Sequence, residues 1–292
     1  MKNIQIDQFR VTSKISLQSI PTVLAQELTK KEKKSMLNEY REQLSEHQDT
    51  MYAHAKYGVL ICLQGMDTAG KDSLIREVFK ELNARGVVVH SFKTPTSLEL
   101  KHDYLWRHYL ALPARGKYSV FNRTHYENVL VTRVHPYYLM NENIPGIDSV
   151  EDITPDFWQK RFEQIRNFEQ HIAENGTVIF KFYLHLSKEE QRQRLLRRLE
   201  NKKHNWKFSP GDLEERALWD KYQQYYEEAI NETSKPHAPW FIIPSDDKKI
   251  ARVIVAKIIY ETMTKIEGIQ EPELDESILK NIQKYHDILA KE

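Results

Sequence analysis

The sequence predicts an α/β fold built on a parallel sheet, and three observations carry that expectation. Val59 to Leu63 form a continuous apolar run, rich in β-formers and too short for a buried helix, which is the pattern of a strand covered on both faces. A glycine-framed turn and a helical pattern follow, and Val87 to Phe92 form a second short run, so strand, helix and strand make a right-handed βαβ unit. Further short runs at Tyr118 to Phe121, Thr177 to Leu186 and Trp240 to Ile243 alternate with amphipathic segments, as in a sheet with helices on both sides.

The helices read as follows. Val23 to His47 are densely charged, with apolar residues at Leu24, Leu28, Met36, Leu37 and Leu44, which suits an exposed amphipathic helix. Ser73 to Asn83 continue from the glycine turn with Leu74, Ile75, Val78, Phe79 and Leu82 inward, and Gly86 serves as the stop signal. Helices are expected over Leu98 to Leu112, Pro155 to Glu174, Asp212 to Thr233 and Asp247 to Ile266, with a short one in the tail beyond Gln270. No repeat or linker divides the chain. The expected organisation is a helical extension over 1–50, a core over 51–270 carrying a helical lid at about 188–212, and a helical tail over 271–292.

Composition narrows the function. The 292 residues are 40% hydrophobic, enough for a substantial core, and the formal net charge is +1. A general nucleic-acid coat is excluded, so a polyanion must be held by local clusters of charge. The one cysteine, Cys62, falls in the first apolar run and reads as a buried inert thiol. No stretch of about 18 apolar residues and no apolar leader segment is present, so the expectation is a soluble, cytoplasmic protein without membrane or nucleic-acid partners.

The chemistry begins where the first strand ends. Gly65-Met66-Asp67-Thr68-Ala69-Gly70-Lys71 places two glycines around four residues and before a lysine, the spacing of a phosphate loop. Such glycines let successive backbone amides face phosphate oxygens, the following helix aims its N-terminus there, and lysine adds positive charge. Asp72 stands where the usual loop has a magnesium-binding hydroxyl, ahead of Ser73, and Asp67 adds a second carboxylate within the loop. Carboxylates beside a polyanion repel it unless metal or arginine lies between them, which points to a metal-bridged, arginine-rich site.

Other strand ends supply the rest. Lys93 leaves the second strand, placed to hold an anionic substrate. The third strand ends in Asn122-Arg123-Thr124-His125-Tyr126-Glu127-Asn128, in which Arg123 suits bidentate contact with phosphate and an acid suits positioning of a metal. Arg133 is expected to face the same groove. Between Lys188 and Lys207 eight lysines and arginines stand against three acids, and this stretch, with Arg194, Arg197, Arg198, Lys202, Lys203 and Lys207, reads as a lid closing over a polyanion. Trp106 and His108 read as structural.

With these residues in hand, the chain resembles the polyphosphate kinase 2 family over nearly its whole length. The similarity lies in Gly65 to Asp72, in Ser91-Phe-Lys93-Thr-Pro95, in Leu105-Trp-Arg107 with Pro113 to Gly116, in Phe121-Asn122-Arg123-x-His-Tyr126-Glu127, and in Asn205 to Ser209. The resemblance implies a thymidylate-kinase-like phosphate-loop core of three α/β/α layers. It also implies magnesium-dependent phosphoryl transfer between inorganic polyphosphate and nucleotides, and a homodimer or homotetramer. The motif looks closest to the subgroup acting on both AMP and ADP; manganese and guanine nucleotides are the natural extensions. Asp67, Lys71, Arg123 and Glu127 are then the expected catalytic residues, with Asp67 a metal ligand. One position departs: Asn128 stands where compared members carry aspartate, which would weaken metal binding there. The alternatives are an ATP-dependent nucleotide kinase and a catalytically silent polyphosphate-binding protein.

Overall fold

In the computed structural model, which describes residues 4–202 and 205–292, five strands form one parallel sheet: β1 (Gly58–Gln64), β2 (Val87–Ser91), β3 (Tyr118–Asn122), β4 (Thr177–His185) and β5 (Trp240–Pro244). Their spatial order is β2-β3-β1-β4-β5. The chain leaves the central strand for the β2 edge, returns to β3 beside β1, and only then crosses to β4 and β5. At that reversal the carboxyl ends of β1 and β3 part around a crevice, where a doubly wound sheet binds its ligands.

The α-helices of the described residues are, in chain order, α1 (Lys30–His54), α2 (Lys71–Val78), α3 (Trp106–Tyr109), α4 (Val131–Val134), α5 (Pro155–Glu174), α6 (Lys188–Glu200), α7 (Gly211–Ala217), α8 (Trp219–Thr233), α9 (Lys248–Met263) and α10 (Glu276–Leu289). Alternation along β1 sorts them into layers. Val59, Ile61 and Leu63 enter one core with Leu44 of α1, Leu74 of α2 and Ile254 of α9, while Leu60 and Cys62 meet Phe121, Phe168 and Ile172 on the other side. A third cluster, with Tyr126, Tyr183, Tyr226 and Trp240, fills the space beneath α5 and α8 near the crevice. Each such side chain contributes about 1.5–3 kcal/mol on burial.

Several boundaries differ from expectation. The first helix begins at Lys30 because Thr29 and Glu32 form a reciprocal cap, Thr29 Oγ1 accepting from the Glu32 amide and Glu32 Oε2 from the Thr29 amide. It runs on to His54, so Met51 joins Leu44 in the main core. The second ends at Val78, ahead of Gly86, and Gly86 answers a different need. Gln48 of α1 bonds both backbone groups of Asn83, and a Cβ on Gly86 would lie 2.1 Å from its Nε2. The segment 98–112 is broken: His102 is extended, and Asp103 accepts from the Leu105 amide to start a new turn. Trp106 there stacks on His102, half-buried, rather than entering the core. Leu218 leaves helical geometry and divides α7 from α8.

Buried histidines tie this fold to pH. Burial holds His108 well below the ordinary imidazole value, and holds His125 and His185 below it, so all three are neutral in the folded state. The unfolded chain protonates them near about 6.5 and there binds more protons than the folded one, so their stability contribution is full above that value and lost as pH falls below it. Melting followed from about pH 8 to about pH 5 is expected to show Tm dropping below about 6.5, with His108→Gln flattening the drop whatever its effect at the upper end.

Candidate active site

The loop after β1 is built by close approach. A Cβ on Gly65 would stand 3.0 Å from the Leu184 carbonyl oxygen and 3.1 Å from Ala69 Cβ, so only glycine lets the chain turn under β4. Thr68 and Gly70 then take positive φ values of 66° and 111°, which coil the backbone into the start of α2.

The outside of the loop is clamped by α6. Arg194 donates from Nη1 to the carbonyls of Thr68 (2.9 Å) and Ala69 (3.0 Å), and from Nη2 to those of Ser245 (2.6 Å) and Asp246 (3.0 Å). Gln191 Nε2 donates to the Asp67 carbonyl at 3.1 Å. Carbonyls drawn outward turn the adjoining amides the other way, because a trans peptide sets the two groups opposite each other. The amides of Thr68 and Gly70 therefore face away from α6, as amides that hold phosphate oxygens do, while the Ala69 amide closes the turn onto the Met66 carbonyl at 3.0 Å.

Within the loop, Lys71 Nζ donates to the Gly65 carbonyl at 2.5 Å. Burial lowers its pKa, with Asp67 opposing and Arg123 adding to the effect. Arg123, at the end of β3, has φ 61° and reaches to 3.8 Å from Asp67 Oδ1. Burial works against its charge, but Glu127 and Asp67 outweigh it and raise its pKa. Glu127 Oε1 accepts from Gln64 Nε2 at 3.0 Å, and Gln64 in turn accepts from the Tyr226 hydroxyl at 3.3 Å. Asp72 Oδ1 accepts from Asn122 Nδ2 at 2.7 Å, tying the first turn of α2 to the end of β3. Ser73 Oγ turns back to the Gly70 carbonyl at 2.9 Å.

Beneath the 122–128 segment lies a fully buried polar network. Lys181 Nζ, in mid-β4, donates to Glu169 Oε2 (2.6 Å), to the Tyr126 hydroxyl (2.9 Å) and to the Thr233 carbonyl (2.8 Å). Glu169 Oε1 also accepts from Tyr126 (2.7 Å) and faces His125 Nε2 (3.1 Å). Burial pushes Glu169 up, but Lys181 and His125 outweigh it and hold its carboxyl below the usual range, so the pair is ionised.

A cavity of about 290 Å³ opens over these residues. Its lining combines charged residues, among them Asp67, Lys71, Lys93, Arg123 and Glu127, with apolar and aromatic ones, among them Phe92, Pro95, Leu100, Val131 and Tyr138, and includes Gly65 and Met66 of the loop. Sequence reasoning missed Gln64, Arg107, His135, Glu215, Tyr222 and Tyr226. Arg107 donates to the Lys93 carbonyl at 2.9 Å and stacks over Phe92, while Glu215 accepts from Tyr222 at 2.6 Å and pairs with His135 at 2.9 Å. Two left a signal: Gln64 as the polar residue closing an apolar strand, and Arg107 as part of the Leu105-Trp-Arg107 motif.

Other expected site residues sit elsewhere. Arg133 pairs with Glu228 at 2.7 Å and packs over Tyr225 and Trp158, outside the cavity lining, because α8 offers it carboxylate and aromatic partners at once. Arg194 is the loop clamp and is buried, so it is not a lid residue. Arg197 pairs with Glu190, Arg198 with Asp212, and Lys202 is exposed. Lys203 lies outside the described residues, and Lys207 ends a short 3-10 turn, Asn205–Lys207. Asn128 does line the cavity, but its Nδ2 donates to the His125 carbonyl at 3.0 Å, a bond a carboxylate could not make.

The donor set suits a hard cation. Among the described residues no three histidine, cysteine or acidic side chains converge, but Asp67 and Glu127 both face the cavity, and Asn122 Oδ1 is buried without a hydrogen-bond partner. Magnesium binds in this way, through one or two carboxylates with phosphates and water completing its shell.

Comparison with known proteins decides the family. The family model for polyphosphate kinase 2 matches residues 27–272. The chain belongs to the polyphosphate kinase 2 family. It is 46% identical over 266 residues to the ADP-polyphosphate phosphotransferase of Rhodopseudomonas palustris, covering 90% of this chain and 91% of that one. It is 46% identical to the AMP/ADP-polyphosphate phosphotransferase of Meiothermus ruber, over 78% and 79% of the two chains. The crystal structure of polyphosphate kinase 2 from Arthrobacter aurescens superposes with a TM-score of 0.87 at 32% identity, covering 96% of each chain. A phosphate-loop kinase core is thus common to the family and to the geometry above.

Two substitutions test the architecture. Arg194→Ala removes a guanidinium serving four carbonyls and should destabilise the protein by roughly 3–5 kcal/mol in denaturant unfolding, with Arg194→Lys recovering only part. Asn128→Asp should lower the unfolding free energy by about 1–3 kcal/mol in the same assay, since a buried carboxylate then faces the His125 carbonyl.

Proposed function

We propose that this chain catalyses reversible phosphoryl transfer between inorganic polyphosphate and adenine nucleotides, carrying AMP to ADP and ADP to ATP. One observation carries the reading: Lys71, Arg123, Asp67 and Glu127 line one cavity together with apolar and aromatic residues, Arg123 lying 3.8 Å from Asp67. A polyphosphate terminus suits the charged part of this lining and a nucleoside the apolar and aromatic part. Phe92, Pro95 and Tyr138 favour a purine, which admits guanine as well as adenine.

Phosphoryl transfer asks the protein for positioning and charge more than covalent chemistry. The amides of Thr68 and Gly70, with Lys71, hold the transferred group, and the bond of the Ala69 amide to the Met66 carbonyl shapes the loop that presents it. Arg123 neutralises charge gathering on the equatorial oxygens, and its left-handed backbone, next to Asn122 and its bond to Asp72, aims it there. Lys93 draws the anionic substrate into the cavity. Asp67 and Glu127 would hold magnesium, or manganese in its place, with Gln64 fixing the second carboxylate. A bound divalent ion supplies Lewis-acid neutralisation of the phosphates between which the group moves.

The assembly we propose is a homodimer or homotetramer. The C-terminal helix α10 supports it, exposing Ile278, Ile282, Tyr285 and Leu289 along one side. No helix of the described residues is long and apolar enough to cross a membrane, and a cytoplasmic site, where the nucleotides are, fits the proposed reaction.

The test is nucleotide formation from AMP and from ADP with magnesium and long-chain polyphosphate, run beside an ATP-donor control. Polyphosphate-driven ATP synthesis is expected, and Lys71→Ala and Arg123→Ala should each lower kcat by about 100-fold or more at unchanged Tm. Turnover from the ATP donor alone, or unchanged rates in both variants, would overturn the assignment.

A further inference from the structure

A second concavity, larger than the catalytic one, lies between the first half of α1, the C-terminal end of α2 and the first turns of α9, with a volume of about 1080 Å³. Of its fifteen lining residues, eight are lysine or arginine and four are glutamate, and only Leu37 is apolar. That lining offers nothing to a nucleobase or a lipid chain and a great deal to an inorganic anion.

The four glutamates balance half of this charge, and five of the eight basic residues stand outside any ion pair of the described residues. Lys33 pairs with Asp247 at 2.7 Å, Arg41 with Glu77 at 2.8 Å and Lys80 with Glu81 at 3.6 Å. Lys30, Lys31, Lys34, Lys249 and Arg252 have no carboxylate at ion-pair distance among the described residues, and Arg252 Nε is buried without a hydrogen-bond partner. The placement on the helices adds to the excess. Lys30, Lys31, Lys33 and Lys34 occupy the first turns of α1, and Lys248 and Lys249 open α9, where the helix dipole already presents positive charge and carboxylates are favoured. The Lys33–Asp247 pair brings these two N-termini together.

One end of the groove lies close to the catalytic loop, since Lys248, beside Gly70, is followed in α9 by the groove residues Lys249 and Arg252. A Cβ on Gly70 would lie 3.5 Å from Lys248 Cε, so the Lys248 side chain packs against the loop. Burial, with Arg194, Arg197 and Arg252 nearby, pushes Lys248 down to about 8. Burial likewise lowers Arg252, against Glu77 and with Arg76 and Arg41. Such crowding of like charges is relieved by an anion lying along it.

We propose that this groove binds the distal part of a polyphosphate chain whose end lies in the Gly65–Lys71 loop, an exosite that makes the enzyme favour long chains. This rests on the polyphosphate reading of the catalytic cavity. The occupant must carry regularly spaced negative charge without bases or acyl chains, since the groove has no aromatic lining residue to stack on.

The experiment uses the full chain carrying Lys31→Gln, Lys34→Gln and Lys249→Gln together, with a Lys→Arg triple variant at the same positions as a charge-conserving control. Steady-state ATP formation from ADP is measured with long-chain polyphosphate and with tetrapolyphosphate. For the glutamine variant KM for the long chain should rise about tenfold at unchanged kcat, while KM for the short chain stays at the wild-type value and the arginine control behaves as wild type. An equal rise for both chains, or no rise, overturns the exosite. Direct titration of long-chain polyphosphate into wild type and glutamine variant, without nucleotide, separates the two readings. Weaker binding by the variant from a wild type that makes no ATP keeps the groove and removes the proposed activity, whereas equal binding removes the groove. A single-stranded oligonucleotide of matched charge that binds the groove more tightly than polyphosphate would overturn the assigned ligand.

Discussion

The buried pair of Lys181 and Glu169 is the interaction on which the site depends. Both lie at zero exposure, and taking two charges out of water costs several kcal/mol each unless their partners are complete. Here they are: Tyr126, His125 and the Thr233 carbonyl occupy the remaining positions, and Trp240 Nε1 bonds Thr233 Oγ1 behind them. An apolar cluster of the same volume would be at least as stable, so the network is better understood as specifying one arrangement. It pins His125 and Tyr126 against β4 and α5, and between them and the end of β3 the chain has only Arg123 and Thr124 with which to turn. Arg123 then takes a left-handed backbone that few non-glycine residues adopt, and the rigid floor holds it there.

The same logic operates on the other wall of the crevice. Arg194 gathers four carbonyls from two different loops, the phosphate loop and the turn after β5, and so connects three elements through one planar fork. A lysine in that place has a single nitrogen and cannot span both loops. The clamp shapes the inside of the loop from the outside, since the direction of each amide follows from where its neighbouring carbonyl is tied. The two walls meet through Asp72 and Asn122, at the position where a more usual loop carries a hydroxyl. The catalytic face is therefore set by three polar ties, each made by residues that do not themselves need to touch substrate.

How much of this was legible depends on range. The strands were readable to within a residue or two, because a buried parallel strand is a short apolar run whatever surrounds it. Pro155 to Glu174 was readable at both ends, with proline in the first turn and an amphipathic pattern between. The helix starting at Lys30 was misjudged by seven residues, since Leu24 and Leu28 mimic its period and only the Thr29–Glu32 cap shows where it begins. Lys71, Asp67, Arg123 and Glu127 were legible as a set because strand ends in a parallel sheet converge. Arg133 and Arg194 were not, because a basic residue near a site looks the same in sequence whether it faces the ligand or ties down the scaffold.

The sequence by itself determined the α/β class, the phosphate loop and the family, for these are written in contiguous residues whose spacing has one physical meaning. Only the tertiary structure decided which charges are free. Arg194 is consumed by carbonyls, Arg133 by Glu228 and aromatic rings, and Asn128 by a neighbouring carbonyl, while Lys34, Lys249 and Arg252, unremarkable in the chain, come together with no ion-pair partner among the described residues. Local spacing fixes the direction of a backbone turn, but the fate of a long charged side chain depends on partners tens to hundreds of residues away, and those are assigned only when the sheet brings its two halves together.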